Sequence, residues 1–265
     1  MECPHDFEAF RDFAVQLAKE AGAIHLTYFR GSDLSLRTKS NLYDVVTRAD
    51  RESEEYIARR IAECYPEHAL LGEEGGERGT VGSDYRWVVD PLDGTTNYSQ
   101  GLPVFTVSIA LQYGGETVVG VVYAPYLGEL FTAVRGGGAF LTLRDGEPQR
   151  LHVSAKTTLA ESVLATGFPY DKDVDPDNNC DNVARIVPHV RDLRRYGSAA
   201  YDLACVASGW LEGFWELALH EWDVCAGILL VEESGGRVER LRPDRGWSIV
   251  AGNTTLIAAM REKVR

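Results

Sequence analysis

The segment Asp90-Pro91-Leu92-Asp93-Gly94-Thr95-Thr96-Asn97 sets two carboxylates around a proline and follows them at once with a glycine and two hydroxyls. The apolar run Trp87-Val88-Val89 reads as a buried strand that delivers Asp90 to its C-terminal end. Pro91 holds φ near −65°, and Gly94 permits a conformation or a close approach that a Cβ forbids. Such a turn swings Asp90, Asp93 and the Leu92 carbonyl toward one point. Hard cations such as Mg²⁺ take oxygen ligands in that arrangement, usually one or two carboxylates plus substrate phosphate. Gly94, Thr95 and Thr96 add backbone N–H groups and hydroxyls where a helix could start, a geometry that binds anions. Asp-Pro and Asp-Gly are also ordinary turn formers, so the segment alone leaves a surface turn open.

Two further acids stand where strands or helices change. Glu73, in Gly72-Glu73-Glu74, follows the apolar run Ala69-Leu70-Leu71; alone such a triplet is more often a solvated turn than a ligand. Asp223, in His220-Glu221-Trp222-Asp223-Val224-Cys225-Ala226-Gly227, sits where a helix begins and reads equally as an N-terminal cap. Other chemistries find no support. Asp171, Asp173, Asp175 and Asp177 mimic the start of a calcium loop, but Pro176 stands at its sixth position and Asn182 at its twelfth. They read as a solvated acidic loop at the substrate mouth. The six histidines form no H-x-x-x-H and the five cysteines no C-x-x-C, which disfavours zinc and argues for a reduced, cytoplasmic setting. No G-x-S-x-G elbow and no C-x₅-R loop supplies a protein nucleophile.

These residues need elements to hold them. Phe7, Phe10, Ala14, Leu17, Ala21, Ile24 and Tyr28 recur at helical steps before Gly31. Thr47-Arg48-Ala49-Asp50 resembles a capping sequence for a second helix through Ile61, stopped before Pro66. Gly75 to Ser83, with four glycines in nine residues, reads as a mobile loop. Val104 to Leu143 reads as an antiparallel meander broken at Gly114-Gly115, Pro125 to Gly128 and Gly136 to Gly138. Beyond it, short apolar runs (Ser162 to Thr166, Gly213 to Glu216, Ser248 to Ala251) alternate with helical patterns at Ala199 to Ala207, Val224 to Glu233 and Thr254 to Val264. The 265 residues therefore read as one unit, an α+β part over about 1–155 joined to an α/β part over 156–265.

Composition narrows the function class. Asp+Glu 40 against Lys+Arg 27 gives a net charge of −13, which argues against general nucleic-acid or anionic-membrane binding. The longest apolar runs are too short to span a bilayer, and the N-terminal dozen residues carry no secretory signal pattern.

Taken together, Gly72-Glu73-Glu74, the run from Trp87 to Asn97, and Trp222-Asp223-Val224-Cys225-Ala226-Gly227 resemble the three signature motifs of the inositol monophosphatase family, in order and spacing and over nearly the whole chain. The resemblance implies a layered αβαβα sandwich and a Mg²⁺-dependent, lithium-sensitive phosphatase with two or three ions. On it, Glu73, Asp90, Leu92 (through its carbonyl), Asp93 and Asp223 hold metal, and Asp50 hydrogen-bonds Thr95. Glu73, Thr95 and Asp50 form the catalytic set that readies water. Lys39 lies near the phosphate. Asp93, Gly94, Thr95 and Asp223 face it too, while Gly197, Ser198, Ala199 and Glu216 meet the substrate's ring hydroxyls. Implied as well are a homodimer, a small phosphate-ester substrate and no membrane association. Inositol monophosphate leads as substrate. Fructose 1,6-bisphosphate, histidinol phosphate and a 3′-phosphoadenosine nucleotide are the alternatives, with a regulatory role on the transcription machinery as a different class.

Overall fold

The computed structural model describes residues 6–31 and 34–265; its longer helices form where the sequence patterns place them, and a short one over residues 180–186 falls where those patterns mark none. The helices are α1 (Phe7–Tyr28), α2 (Arg48–Cys64), α3 (Thr95–Ser99), α4 (Cys180–Ile186), α5 (Ala199–Ala207), α6 (Glu221–Glu233) and α7 (Thr254–Arg261). Asp6 caps α1, accepting from the Ala9 N–H at 3.1 Å. Thr47 and Asp50 form a reciprocal capping box on α2.

A two-stranded antiparallel ribbon, β1 (Arg37–Thr38) and β2 (Val45–Val46), leads into α2. The next eight strands make one sheet: β3 (Ala69–Gly72), β4 (Gly76–Gly79), β5 (Tyr85–Asp93), β6 (Thr106–Tyr113), β7 (Glu116–Ala124), β8 (Glu129–Val134), β9 (Gly138–Leu143) and β10 (Gln149–Arg150). Their order is β10-β9-β8-β7-β6-β5-β3-β4, antiparallel except where β3 and β5 run parallel. A second, mixed sheet holds β11 (Val163–Thr166), β12 (Asp192–Arg194), β13 (Gly213–Leu219), β14 (Arg237–Arg242) and β15 (Trp247–Gly252) in the order β12-β11-β13-β15-β14.

Strand alternation assigns the layers. In β5, Trp87 and Val89 pack with Leu17, Ala21 and Ile57 of α1 and α2, while Val88 joins the core built by α5 and α6. In β13, Phe214 faces that same core and Trp215 packs with Leu256, Ile257 and Met260 of α7. The result is helix pair, sheet, helix pair, sheet, helix: the αβαβα sandwich expected from the sequence. Asp90 shares its parity with Val88, and Glu216 with Phe214, so both carboxylates point from opposite sheets into the middle layer.

Gly75 to Ser83 departs from the expected mobile loop. Residues 76–79 form β4, a hairpin against β3, and the buried Glu54 of α2 secures it by accepting from the Glu74 N–H at 2.7 Å and pairing with Arg78. The acidic loop is likewise tied down, because Arg245 holds Asp171 and Asp175 while Arg242 holds Asp177.

Candidate active site

A break in pairing builds the centre of the site. The β5–β6 register shifts between Asp90 and Asp93, where Pro91 cannot donate to the ladder. The chain then turns at Gly94, φ +95°, and a Cβ there would lie 3.1 Å from the Val104 carbonyl and 3.2 Å from that of Gly197. Only glycine meets both conditions. Asp90 Oδ1 accepts from the Leu92 N–H at 2.9 Å. Thr95, first in α3, places its hydroxyl 2.9 Å from Asp50 Oδ1 and 3.0 Å from the Leu92 carbonyl. Asp50 is fully buried, and its other oxygen accepts from the Thr47 N–H and hydroxyl.

Asp93 reaches across to the other half of the molecule. Its Oδ2 accepts from Ser198 Oγ and from the Ala200 N–H, both at 2.7 Å, at the start of α5. Asp223 is third in α6 and accepts from the N–H of His220, the helix's N-cap, at 2.7 Å, so it joins the capping box without being the cap itself, and its carboxylate also lines the cavity. Glu73 ends the path of β3 and meets Lys39 Nζ at 2.7 Å; Lys39 also pairs with Glu74. These side chains border one cavity of about 220 Å³, together with Gly197, Ser198, Ala199 and Glu216. Asp50 lies behind it and touches it through Thr95.

Four carboxyls this close repel one another in a dry place. Burial pushes Asp90 well above the ordinary carboxylate range, and the charges of Glu73, Asp93 and Asp223 add to this. Burial, then Asp93 and Glu73, does the same to Asp223. Burial raises Asp93 against the opposing hydrogen bonds from Ser198 and Ala200. Glu73 is pushed up to about 7 by burial despite Lys39, and Asp50 up to about 6 by burial despite its donors. As the side chains stand, they turn onto protein donors, and among the described residues no three acids, histidines or cysteines enclose a single point. The donor set nonetheless suits a hard divalent cation. It is all oxygen, and a cation among the carboxylates removes the repulsion just described.

Sequence reasoning missed Asp202, which lines the cavity from the first turn of α5, and its signal was a lone acid in an otherwise uncharged helix. Burial holds this carboxyl well above the usual range, with Glu216 and Asp93 adding to it. Arg195 also borders the cavity, as does Tyr170, just before the acidic loop. A β-bulge after Glu216 carries Ala218 at φ +61° and turns β13 toward α6, which no local pattern announces.

A layered α+β sandwich with a carboxylate-lined cavity at a strand bulge, seated between its sheets, defines the class. Residues 6–264 match the inositol monophosphatase family, and the chain belongs to it. It is 41% identical over 257 residues to the Nus factor SuhB of Pseudomonas aeruginosa, covering 94% of this chain and 93% of that one. It is also 41% identical over 227 residues to the inositol-1-monophosphatase of Mesorhizobium japonicum, covering 84% and 83%. The crystal structure of the extragenic suppressor protein suhB from Bartonella henselae superposes with a TM-score of 0.87 at 38% identity, covering 96% of this chain and 98% of that one. No described helix is long and apolar enough to cross a membrane.

Proposed function

We propose that this protein hydrolyses a phosphate monoester with Mg²⁺, most favourably myo-inositol monophosphate to myo-inositol and phosphate. The observation that carries the reading is the convergence of Glu73, Asp90, Asp93 and Asp223 on the cavity that also receives the Thr95 hydroxyl backed by Asp50. Glu73, Asp90, the Leu92 carbonyl, Asp93 and Asp223 would hold two or three Mg²⁺ ions, which supply the charge that activates water and offsets the phosphoryl oxygens.

The chain's own groups do the rest. With Asp50 ionised, Thr95 Oγ1 donates to Asp50 Oδ1 and its oxygen can accept from a water, so it orients that water, and any proton it takes from the water is matched by its own hydroxyl proton passing to Asp50. Lys39 brings an ammonium to the phosphate side. The amides of Gly94 and Thr95 offer hydrogen bonds to phosphate oxygens. Ser198 and Ala200 fix the Asp93 carboxylate, while Gly197, Ala199 and Glu216 face the alcohol part of the ester.

A second role on the transcription machinery gains support from the 41% identity to a Nus factor and stands beside the enzymatic reading. Family membership also supports a cytoplasmic homodimer whose turnover is inhibited uncompetitively by Li⁺. The first experiment ranks phosphate esters by kcat/KM at fixed Mg²⁺, with fructose 1,6-bisphosphate, histidinol phosphate and a 3′-phosphoadenosine nucleotide beside inositol 1-phosphate. Glu216→Gln sharpens it. A charged hydrogen bond to a ring hydroxyl is worth about 1.5–3 kcal/mol, so kcat/KM for inositol phosphate should fall roughly 10- to 100-fold. Turnover of p-nitrophenyl phosphate, which lacks ring hydroxyls, should stay unchanged. Equal losses on both would assign Glu216 to the metals or the fold.

A further inference from the structure

Asp202 is the single charged residue of α5, and at 1% exposure it is as buried as the apolar residues around it. Its Oδ1 accepts no hydrogen bond, although the carboxylate borders the cavity. Leaving a buried carboxylate oxygen without a donor is costly, and a helix with eight other uncharged residues gains nothing in packing from it. Glu216 enters the same cavity from β13 at 8% exposure, from the opposite element. The chain makes room for that second carboxylate. A Cβ on Gly167 would lie 2.1 Å from Glu216 Oε1, so only glycine there lets the side chain rest where it does. Arg195 stands at the cavity's exposed rim, and its charge acts on both acids. Arg195 offsets part of the pair's negative charge, which lessens its pull on a substrate ammonium.

We propose that Asp202 is a further specificity-determining residue, its orphaned oxygen accepting a hydrogen bond from one hydroxyl of a polyol phosphate while Glu216 accepts from a neighbouring hydroxyl. This rests on the phosphatase reading above and narrows it to alcohols with adjacent hydroxyls. Simple phosphate esters leave the Asp202 oxygen unsatisfied, so the site discriminates against them by the donor they lack.

The test uses the full chain with saturating Mg²⁺ and compares wild type with Asp202→Asn. It measures kcat/KM for myo-inositol 1-phosphate and for p-nitrophenyl phosphate, and inhibition by free myo-inositol and by inorganic phosphate. The amide keeps the shape but turns a donor toward the substrate or loses the charge. Expected is a loss of roughly 10-fold on inositol phosphate, an equal weakening of inhibition by myo-inositol, and no change with p-nitrophenyl phosphate or inorganic phosphate. Adding Glu216→Gln should cost less than the product of the two single losses, because both act on one set of hydroxyls. Equal losses on both esters, or no loss on inositol phosphate, overturn the assignment. So does a wild-type preference for 2-aminoethyl phosphate that the variant abolishes, which would assign the pair to an ammonium. Wild type that cleaves p-nitrophenyl phosphate but no polyol phosphate overturns the substrate reading itself, and the inference with it. If Asp202→Asn does not fold, the smaller Asp202→Ser gives the same readouts.

Discussion

Asp93 illustrates how one side chain serves two parts of the molecule. It belongs by sequence to the bulge that ends β5, yet its Oδ2 is held by Ser198 and Ala200 at the start of α5. Losing its charge therefore acts on the cavity more than on the fold, since an amide oxygen still accepts those two hydrogen bonds. Asp93→Asn should keep the melting temperature within a few degrees while Mg²⁺-dependent kcat falls by roughly 100-fold or more. Circular dichroism melts beside turnover at saturating Mg²⁺ check both halves, and a variant that melts early would assign Asp93 to the seam between the two sheets. At this scale the motif from Asp90 to Asn97 was legible because a proline lies between the acids and a glycine follows them. Asp202 was not, because a single acid in a helical pattern looks the same whether it faces solvent or a cavity.

Elements place these residues through caps and buried contacts. Thr47 caps α2 and at the same time holds the Asp50 oxygen that Thr95 does not use. Thr47→Ala should cost about 1 kcal/mol of stability from the lost cap. It should also lower kcat, because Asp50 loses a donor that keeps it facing Thr95; denaturant melts and single-substrate kinetics separate the two effects. In α1, His25 is fully buried, pairs its Nε2 with Ser53 Oγ at 3.2 Å, and gives its carbonyl to the Tyr98 hydroxyl of α3. Burial lowers its pKa from the ordinary 6.5 to about 3. Between those values the unfolded chain binds a proton that the folded chain refuses, so stability from this group is complete above pH 6.5 and declines as pH falls. Relative to His25→Gln, the wild type should lose about 2 kcal/mol between pH 7.5 and pH 5, read from urea midpoints at each pH. A constant difference between the two proteins would show that His25 titrates in the folded state as it does in the unfolded chain.

The whole molecule concentrates negative charge where its two sheets face one another. β7 approaches α6 so closely that a Cβ on Gly120 would lie 2.8 Å from the Ala226 carbonyl, and this contact sets how near α6, with Asp223 in its first turn, comes to the first sheet. Repulsion among the four carboxyls is thus built into the packing of the middle layer. A divalent cation that binds only the folded chain should stabilise it by about 2.7 kcal/mol at 100 times its dissociation constant. Thermal melts in chelator and with rising Mg²⁺ should show a concentration-dependent increase, with turnover abolished in chelator. A melting temperature indifferent to Mg²⁺, together with unchanged turnover in chelator, would remove the metal from both stability and catalysis.

Local patterning determined the longer helices, the meander, and the strand that ends in Asp90, because hydrophobic period and turn residues act over a few neighbours. It also carried the family signature, since the three acidic motifs lie within short stretches. The Gly75 to Ser83 segment shows its limit. A glycine-rich run with charges reads as a loop, and only Glu54, on a helix far away in sequence, turns it into a paired hairpin. The same holds for the acidic loop, which two arginines from the β14–β15 hairpin restrain. Which face each strand turns inward, and hence that Asp90 and Glu216 meet across the middle layer, depended on the stacking of two sheets against α5 and α6. That stacking also decided that Asp202 borders a cavity, because burial and convergence are properties of distant segments brought together, and no window along the chain contains them.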